Sequence, residues 1–224
     1  MSATKKISVL IADDHTLVRR ALATLLSLNK EIQVVAEVGD GREAVKLVGE
    51  YRPDVVLMDL SMPNLNGFEA IRQIRRLVPT TKILVVSAHD NEDYVLQTIQ
   101  NGADGYFLKS TSPEELGIAI RTVHEGRRFF SKNVAGFAQQ VLSNMTTGIS
   151  PREARDASQL TSREREILQL IAEAHTHQEI AEMLHISVRT VDTHRNNIIQ
   201  KLGLHDTASL VTYAIRTGIV IVPR

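Results

Sequence analysis

Five residues whose types suit phosphoryl chemistry stand at the ends of short apolar runs. VLIADDH (Val9–His15) closes on two adjacent carboxylates, Asp13 and Asp14. VVLMDL (Val55–Leu60) carries Asp59, KILVVSA (Lys82–Ala88) carries Ser87, and GYFLK (Gly105–Lys109) ends in Lys109. Neighbouring carboxylates beside an apolar interior repel one another and are costly unless paired. A hard divalent cation such as Mg2+ takes oxygen ligands and neutralises that repulsion. A carboxylate beside such an ion is a phosphoryl acceptor, and an ammonium and a small hydroxyl stabilise phosphoryl oxygens. Taken singly, an Asp-Asp pair is ordinarily a helix cap or a solvated turn, and a lysine after a strand is ordinarily a surface residue. The signal is their occurrence together on successive strand ends. The sequence has no glycine-rich phosphate loop, which weighs against nucleotide binding.

The elements that must position these residues are legible from residue 5 to about 125. The apolar runs, with Ile32–Val38 added, are rich in Val and Ile and mostly do not alternate, as expected of parallel strands buried on both faces. Amphipathic segments separate them: LVRRALATLLSL, GREAVKLVGEY, GFEAIRQIRRLV, EDYVLQTIQNG and SPEELGIAIRTVHEG. Asp40 with Glu43, and Ser112 with Pro113 and Glu115, resemble helix starts. The reading is an α/β domain over 5–125 with a doubly wound, five-stranded parallel sheet, which binds ligands at the carboxyl ends of its strands. Residues 126–159 read as a linker with a helix at 132–144, ending in the polar, turn-rich SNMTTGISPREARDASQ. From 160 to 224 no strand pattern appears. Thr161 with Glu164, Thr176 with Glu179, Ser187 and Asp206 each cap an amphipathic segment, giving a small all-α domain of four helices.

Composition bounds the class without naming it. The 224 residues suit two small domains, and 43% hydrophobic with 23% charged residues is ordinary for a globular protein. With no cysteine, disulfides and thiolate metal sites are excluded. No stretch reaches membrane-span length, and MSATKKISVLIADDH meets acids before any signal-peptide apolar core, so a cytoplasmic location is expected and no membrane partner. Net charge is zero, so a nucleic-acid partner must be argued from local patterning.

That patterning lies in VRTVDTHRNNIIQKL. At helical spacing Val191, Ile198 and Leu202 share one side, and Arg189, Thr193, Asn196 and Gln200 the other, with Asn197 flanking. Arg pairs bidentately with guanine and Asn or Gln with adenine in the major groove. Thr190, His194 and Lys201 complete the candidate DNA-contacting set. From 160 to 224 the seven Lys/Arg balance seven Asp/Glu, but five of the acids fall in the first two helices, whereas 189–201 holds three basic residues against Asp192. The preceding helix joins through HIS, a turn of helix-turn-helix length.

ADDH, VVLMDLSMPNLNG, VSAHD and GADGYFLK resemble the flavodoxin-like receiver domains of two-component response regulators. The resemblance implies Asp59 as the phosphorylated aspartate and an Mg2+ pocket of Asp13, Asp14, Asp59 and the Ser61 main-chain carbonyl. It further implies Ser87 and Lys109 as the groups that bind the phosphoryl oxygens, and Tyr106 as an aromatic switch. Ser110 replaces the proline that many receivers carry after the lysine, so a cis Lys109–Ser110 bond, which the resemblance leaves open, would form without proline's help and at a cost. LTSREREILQLIAEAHTHQEIA with ISVRTVDTHRNNIIQKLGL resembles the LuxR-type helix-turn-helix, and the pairing resembles NarL/FixJ-type regulators. Here Ala174 stands where glycine usually ends the first helix, so that end is expected to close without a residue suited to positive φ. His177-Gln178 replaces Asn-Lys, and Asp192 replaces a frequent Lys.

Together the resemblances imply a transcriptional regulator and not an enzyme. A sensor histidine kinase would phosphorylate it with Mg2+, and it would dimerise and bind a double-stranded DNA operator, with RNA polymerase as a further partner. Two alternatives carry weight. A carboxylate-metal phosphatase would need a second acid close after Asp59, and Leu60-Ser61 offers none. An interaction adaptor that does not bind DNA is favoured by the neutral charge and opposed by the Arg/Asn/Gln face.

Overall fold

The structure is a computed structural model that describes residues 6–146 and 160–220; residues 147–159, the end of the expected linker, lie outside the described residues. The chain divides into two compact units, residues 1–148 and 149–224.

In the first unit strands and helices alternate: β1 (Ile7–Ala12), α1 (Thr16–Ser27), β2 (Ile32–Val38), α2 (Gly41–Tyr51), β3 (Val55–Met58), α3 (Gly67–Leu77), β4 (Lys82–Ser87), α4 (Glu92–Gln100), β5 (Gly105–Leu108), α5 (Glu114–His124), β6 (Phe129–Phe130) and α6 (Lys132–Thr146). The strands are parallel and ordered β2-β1-β3-β4-β5-β6. The sheet therefore has six strands where five were expected. The sixth pairs only Phe129 and Phe130 with Gly105 and Tyr106, too short a run to show a period.

Val9, Ile11, Leu57, Leu84, Val86 and Phe107 form one face of the core with Leu116 and Ile120 of α5. Their neighbours Leu10, Val56, Met58, Ile83 and Val85 are equally buried. Both faces are thus covered, which is why these strands read as unbroken apolar runs. Asp40 caps α2, its carboxylate accepting from the Arg42 and Glu43 amides. Ser112 does not cap α5, because its hydroxyl is taken up by the Glu114 carboxylate. Helix α6 buries Val134, Ala138 and Val141, one turn apart, and packs against α4.

The second unit has no strand among the described residues. It comprises α7 (Ser162–Ala172), α8 (His177–Leu184), α9 (Val188–Leu202) and α10 (Thr207–Arg216). Thr161 with Glu164 and Thr176 with Glu179 make complete capping boxes, and Ser187 and Asp206 cap α9 and α10. The core joins Ile167, Leu168 and Ile171 of α7, Ile180 and Leu184 of α8, Val191 and Ile198 of α9, and Leu210 and Tyr213 of α10. Each such aliphatic side chain contributes about 1.5–3 kcal/mol through burial. Helix α7 closes with Ala174 itself in the left-handed region, φ 66°, so the turn is made by a residue poorly suited to positive φ.

Candidate functional site

Sheet order places the first site. Strand β1 pairs with β2 on one side and β3 on the other, so the connections reverse direction there and leave a crevice at the carboxyl ends of β1 and β3. Ala12 pairs with Met58, and the Asp59 amide donates to the Ala12 carbonyl at 2.8 Å. Register alone therefore sets Asp13 beside Asp59. Ser87 pairs with Leu108, and the Lys109 amide donates to the Ser87 carbonyl at 2.8 Å. The turn after Asp59 is held by close packing: a Cβ at Gly67 would stand 2.1 Å from the Asp59 carbonyl oxygen, so only glycine lets α3 begin there.

Asp13 and Asp59 are almost wholly buried, at 1% and 4% exposure, while Asp14 faces solvent. The Lys109 ammonium bridges them, 2.8 Å from Asp13 Oδ2 and 3.0 Å from Asp59 Oδ1. Burial pushes the Asp59 carboxyl up to about 6, against the pull of Lys109. Burial also opposes the charge on Lys109, but Asp59 and Asp13 outweigh it and hold the ammonium above its ordinary range. Carboxylate oxygens of Asp13, Asp14 and Asp59, with a His15 nitrogen, lie within 4.8 Å of one another. The sequence reading did not single out His15, whose Nδ1 lies 2.7 Å from Asp14 Oδ1. This donor set of crowded oxygens, one of them on a carboxyl that resists ionising, fits a hard divalent cation.

Ser87 is buried and its hydroxyl accepts from the His89 amide at 3.1 Å. Tyr106 is fully buried, and its hydroxyl donates to the His89 carbonyl at 2.7 Å, so the β4–α4 loop is tied to β5. Burial holds that phenol well above its ordinary range. Ser61 is half-buried in the turn after β3. Among the described residues no peptide bond is cis, so Lys109–Ser110 is trans, and the cis bond held open from the sequence does not form. Ser131, which no sequence motif marks, joins β5 to the start of α6. Its amide donates to the Tyr106 carbonyl at 3.0 Å, and its hydroxyl accepts from the Leu108 amide at 3.0 Å and bonds the Thr111 hydroxyl at 2.8 Å.

The second site is α9. Val191 and Ile198 are buried and Leu202 half-buried, while Arg189, Thr193, Asn196, Asn197 and Gln200 are exposed. Three members of the candidate set are bonded within the unit: Thr190, Lys201, and Thr193, whose hydroxyl donates to the Arg189 carbonyl at 2.9 Å. The Thr190 hydroxyl lies 2.8 Å from that of Ser187. Lys201 places its ammonium 2.8 and 2.7 Å from the two Glu164 oxygens. His194 is half-buried, with its Nδ1 enclosed.

Comparison with known proteins bears on both sites. Residues 9–121 match the response regulator receiver domain, and residues 158–214 match the bacterial regulatory proteins of the luxR family. The oxygen regulatory protein NreC of Staphylococcus aureus strain MRSA252 is 41% identical over 214 residues, covering 93% of this chain and 96% of that protein. The chain belongs to the two-component response regulators.

Its output half is a LuxR-type DNA-binding domain, and this family consists of transcription regulators, not enzymes, which removes the phosphatase alternative. Among solved structures, a LuxR-family response regulator from Aurantimonas sp. SI85-9A1 is 35% identical with a TM-score of 0.58, covering 61% of this regulator and 97% of that chain. RcsB, solved as two dimers bound to two parallel DNAs, is 25% identical with a TM-score of 0.58, covering 95% and 99%. Among the described residues no helix is long and apolar enough to cross a membrane.

Proposed function

We propose that this regulator is switched by phosphorylation of Asp59 and, once phosphorylated, binds a two-half-site DNA operator as a dimer. The observation that carries the reading is the Lys109 ammonium held between Asp13 and Asp59 at the crevice beside β1 and β3. Residues 5–125 form the receiver, 126–159 join the halves, and 160–224 bind DNA. Asp13, Asp14, Asp59 and the Ser61 carbonyl hold Mg2+, which supplies positive charge against the incoming phosphoryl oxygens.

A phosphohistidine on a sensor kinase is the donor. An Asp59 oxygen attacks phosphorus, the P–N bond breaks, and the imidazole leaves with the bonding pair. The carboxyl must be ionised to attack, and with its ordinary value pushed up to about 6 it is ionised at neutral pH yet held in a site that favours neutralisation. The new phosphoryl oxygens then compete with Asp13 for the Lys109 ammonium and draw the Ser87 hydroxyl, which now accepts from His89. Through His89 that movement reaches the Tyr106 hydroxyl, and through β5 it reaches Ser131 and the start of α6. A local charge event is thereby read by a hydrogen-bonded strand.

In the output half Arg189, Thr193, Asn196, Asn197 and Gln200 face the major groove, with Thr190, His194 and Lys201 at its margins. In the bound dimer α10 supplies part of the dimer contact, and the dimer engages RNA polymerase. A regulator of this kind works in the cytoplasm, where the genome lies.

The test is selection of genomic DNA fragments by the full-length protein with Mg2+, with and without beryllofluoride as phosphoryl mimic. Enrichment of a two-half-site sequence only with the mimic is expected. Equal enrichment in both samples refutes phosphorylation gating, and no enrichment in either refutes the operator.

A further inference from the structure

Two residues that depart from the LuxR-type pattern meet in the structure. His177 opens α8, Asp192 stands in the first half of α9, and His177 Nδ1 lies 2.6 Å from Asp192 Oδ1. Fifteen positions separate them, so only the packing of α8 against α9 brings them together. Asp192 follows Arg189 by three residues and precedes Asn196 by four, which puts it at the edge of the exposed polar face. Its side chain is 51% exposed even with one oxygen paired.

An ionised carboxylate only accepts hydrogen bonds. Brought to DNA, it is repelled by phosphate and attracted only to base-edge donors. In the major groove these donors are the N4 amino group of cytosine and the N6 amino group of adenine. Adenine sets the acceptor N7 beside its amino group, which an amide satisfies and a carboxylate does not, whereas cytosine presents the amino donor alone. His177 holds Oδ1 and so fixes the direction in which Oδ2 is offered.

We propose that Asp192, positioned by His177, is a specificity residue that accepts from a cytosine amino group in each operator half-site. The inference rests on the DNA-binding reading of α9. The same carboxylate repels phosphate and lowers affinity for every sequence, so the pair favours discrimination over general attraction.

The experiment is selection from a randomised duplex library by full-length protein with Mg2+ and beryllofluoride at fixed salt, using wild type, D192A, D192N, H177A and R189A. Wild type is expected to select cytosine at one position per half-site, with about tenfold loss when that base is changed. D192A should lose that preference, keep the others, and bind non-specific duplex more tightly. D192N should move the preference to adenine, because an amide pairs with N6 and N7 together. H177A should blunt discrimination at the same position, and R189A should alter a different one. Circular dichroism checks that each variant is folded. If D192A keeps the wild-type cytosine preference and only binds all duplexes more tightly, Asp192 merely repels phosphate and the proposal is overturned. If wild type selects no sequence at all, the DNA-binding reading falls and the proposal with it.

Discussion

Replacing Ala174 by glycine is expected to stabilise the output domain, and the structure supplies both the magnitude and its control. Three helices here end in the same way. After α7 the Ala174 amide donates to the Ile171 carbonyl and the His175 amide to that of Leu170. After α8 His185 and Ile186 do the same to Glu182 and Ala181, and after α9 Gly203 and Leu204 to Gln200 and Ile199. Each is a Schellman closure whose turning residue is left-handed: φ is 66° at Ala174, 52° at His185 and 64° at Gly203. An L-residue there costs about 1–2 kcal/mol, and glycine's larger loss of chain entropy on folding returns about 0.4–1 kcal/mol of that difference. Ala174 is exposed, so deleting its methyl group leaves no cavity. The net gain for A174G is about 0.5–1 kcal/mol, which slows native-state amide exchange across α7–α10 by roughly two- to fivefold. G203A is the reverse experiment. A Cβ at Gly203 meets nothing within 4 Å, so its cost is conformational alone and should be of similar size and opposite sign. Hydrogen exchange of the full-length protein, read by mass spectrometry, measures both. Unchanged or faster exchange in A174G would refute the assignment of a strained closure to that helix end.

Asp59 makes the receiver pH-sensitive. Its carboxyl is raised in the folded state to about 6 from 3.8, so the stability it contributes is present below about pH 4 and lost as pH rises through about 6. At about 1.4 kcal/mol per unit the loss is on the order of 3 kcal/mol. In chelator, D59N should therefore gain on wild type by up to that amount between pH 4 and pH 7. Urea titrations at the two values measure the gain, and a constant difference would contradict burial as the dominant cause. S131A removes the acceptor of the buried Leu108 amide and should destabilise the receiver by about 1–3 kcal/mol; a change under about 0.5 kcal/mol would mean that the amide finds another partner. K201A strips a nearly buried Glu164 of its cation and should cost about 1–3 kcal/mol in output-domain stability. The salt slope of its DNA binding should fall by about one, as for a cation at the margin of the DNA-facing helix, whereas an unchanged slope would show the ammonium kept by Glu164 in the complex.

What the sequence determined by itself was local. Val- and Ile-rich runs declare buried parallel strands because both faces are covered. Thr161, Thr176, Ser187 and Asp206 declare helix starts because a cap acts on amides two or three residues away. Once the runs are strands, Asp13, Asp59, Ser87 and Lys109 must share the sheet's carboxyl edge, because parallel strands end on one side. The period of α9 likewise separated Val191 and Ile198 from the exposed Arg189 and Asn196. Tertiary structure alone decided who touches whom. Lys109 bridges two carboxylates that are 96 and 50 residues before it in the chain. Lys201 pairs with Glu164, Ser131 ties β5 to α6, and His177 finds Asp192. β6 escaped notice because two residues hold no period. Ala174 accepted positive φ because the closing hydrogen bonds and the packing of α7 outweigh a penalty of about 1–2 kcal/mol. Periodicity and capping act over a few residues and leave a mark in the order of letters. A contact between distant residues depends on the register and packing of whole elements, which that order does not display.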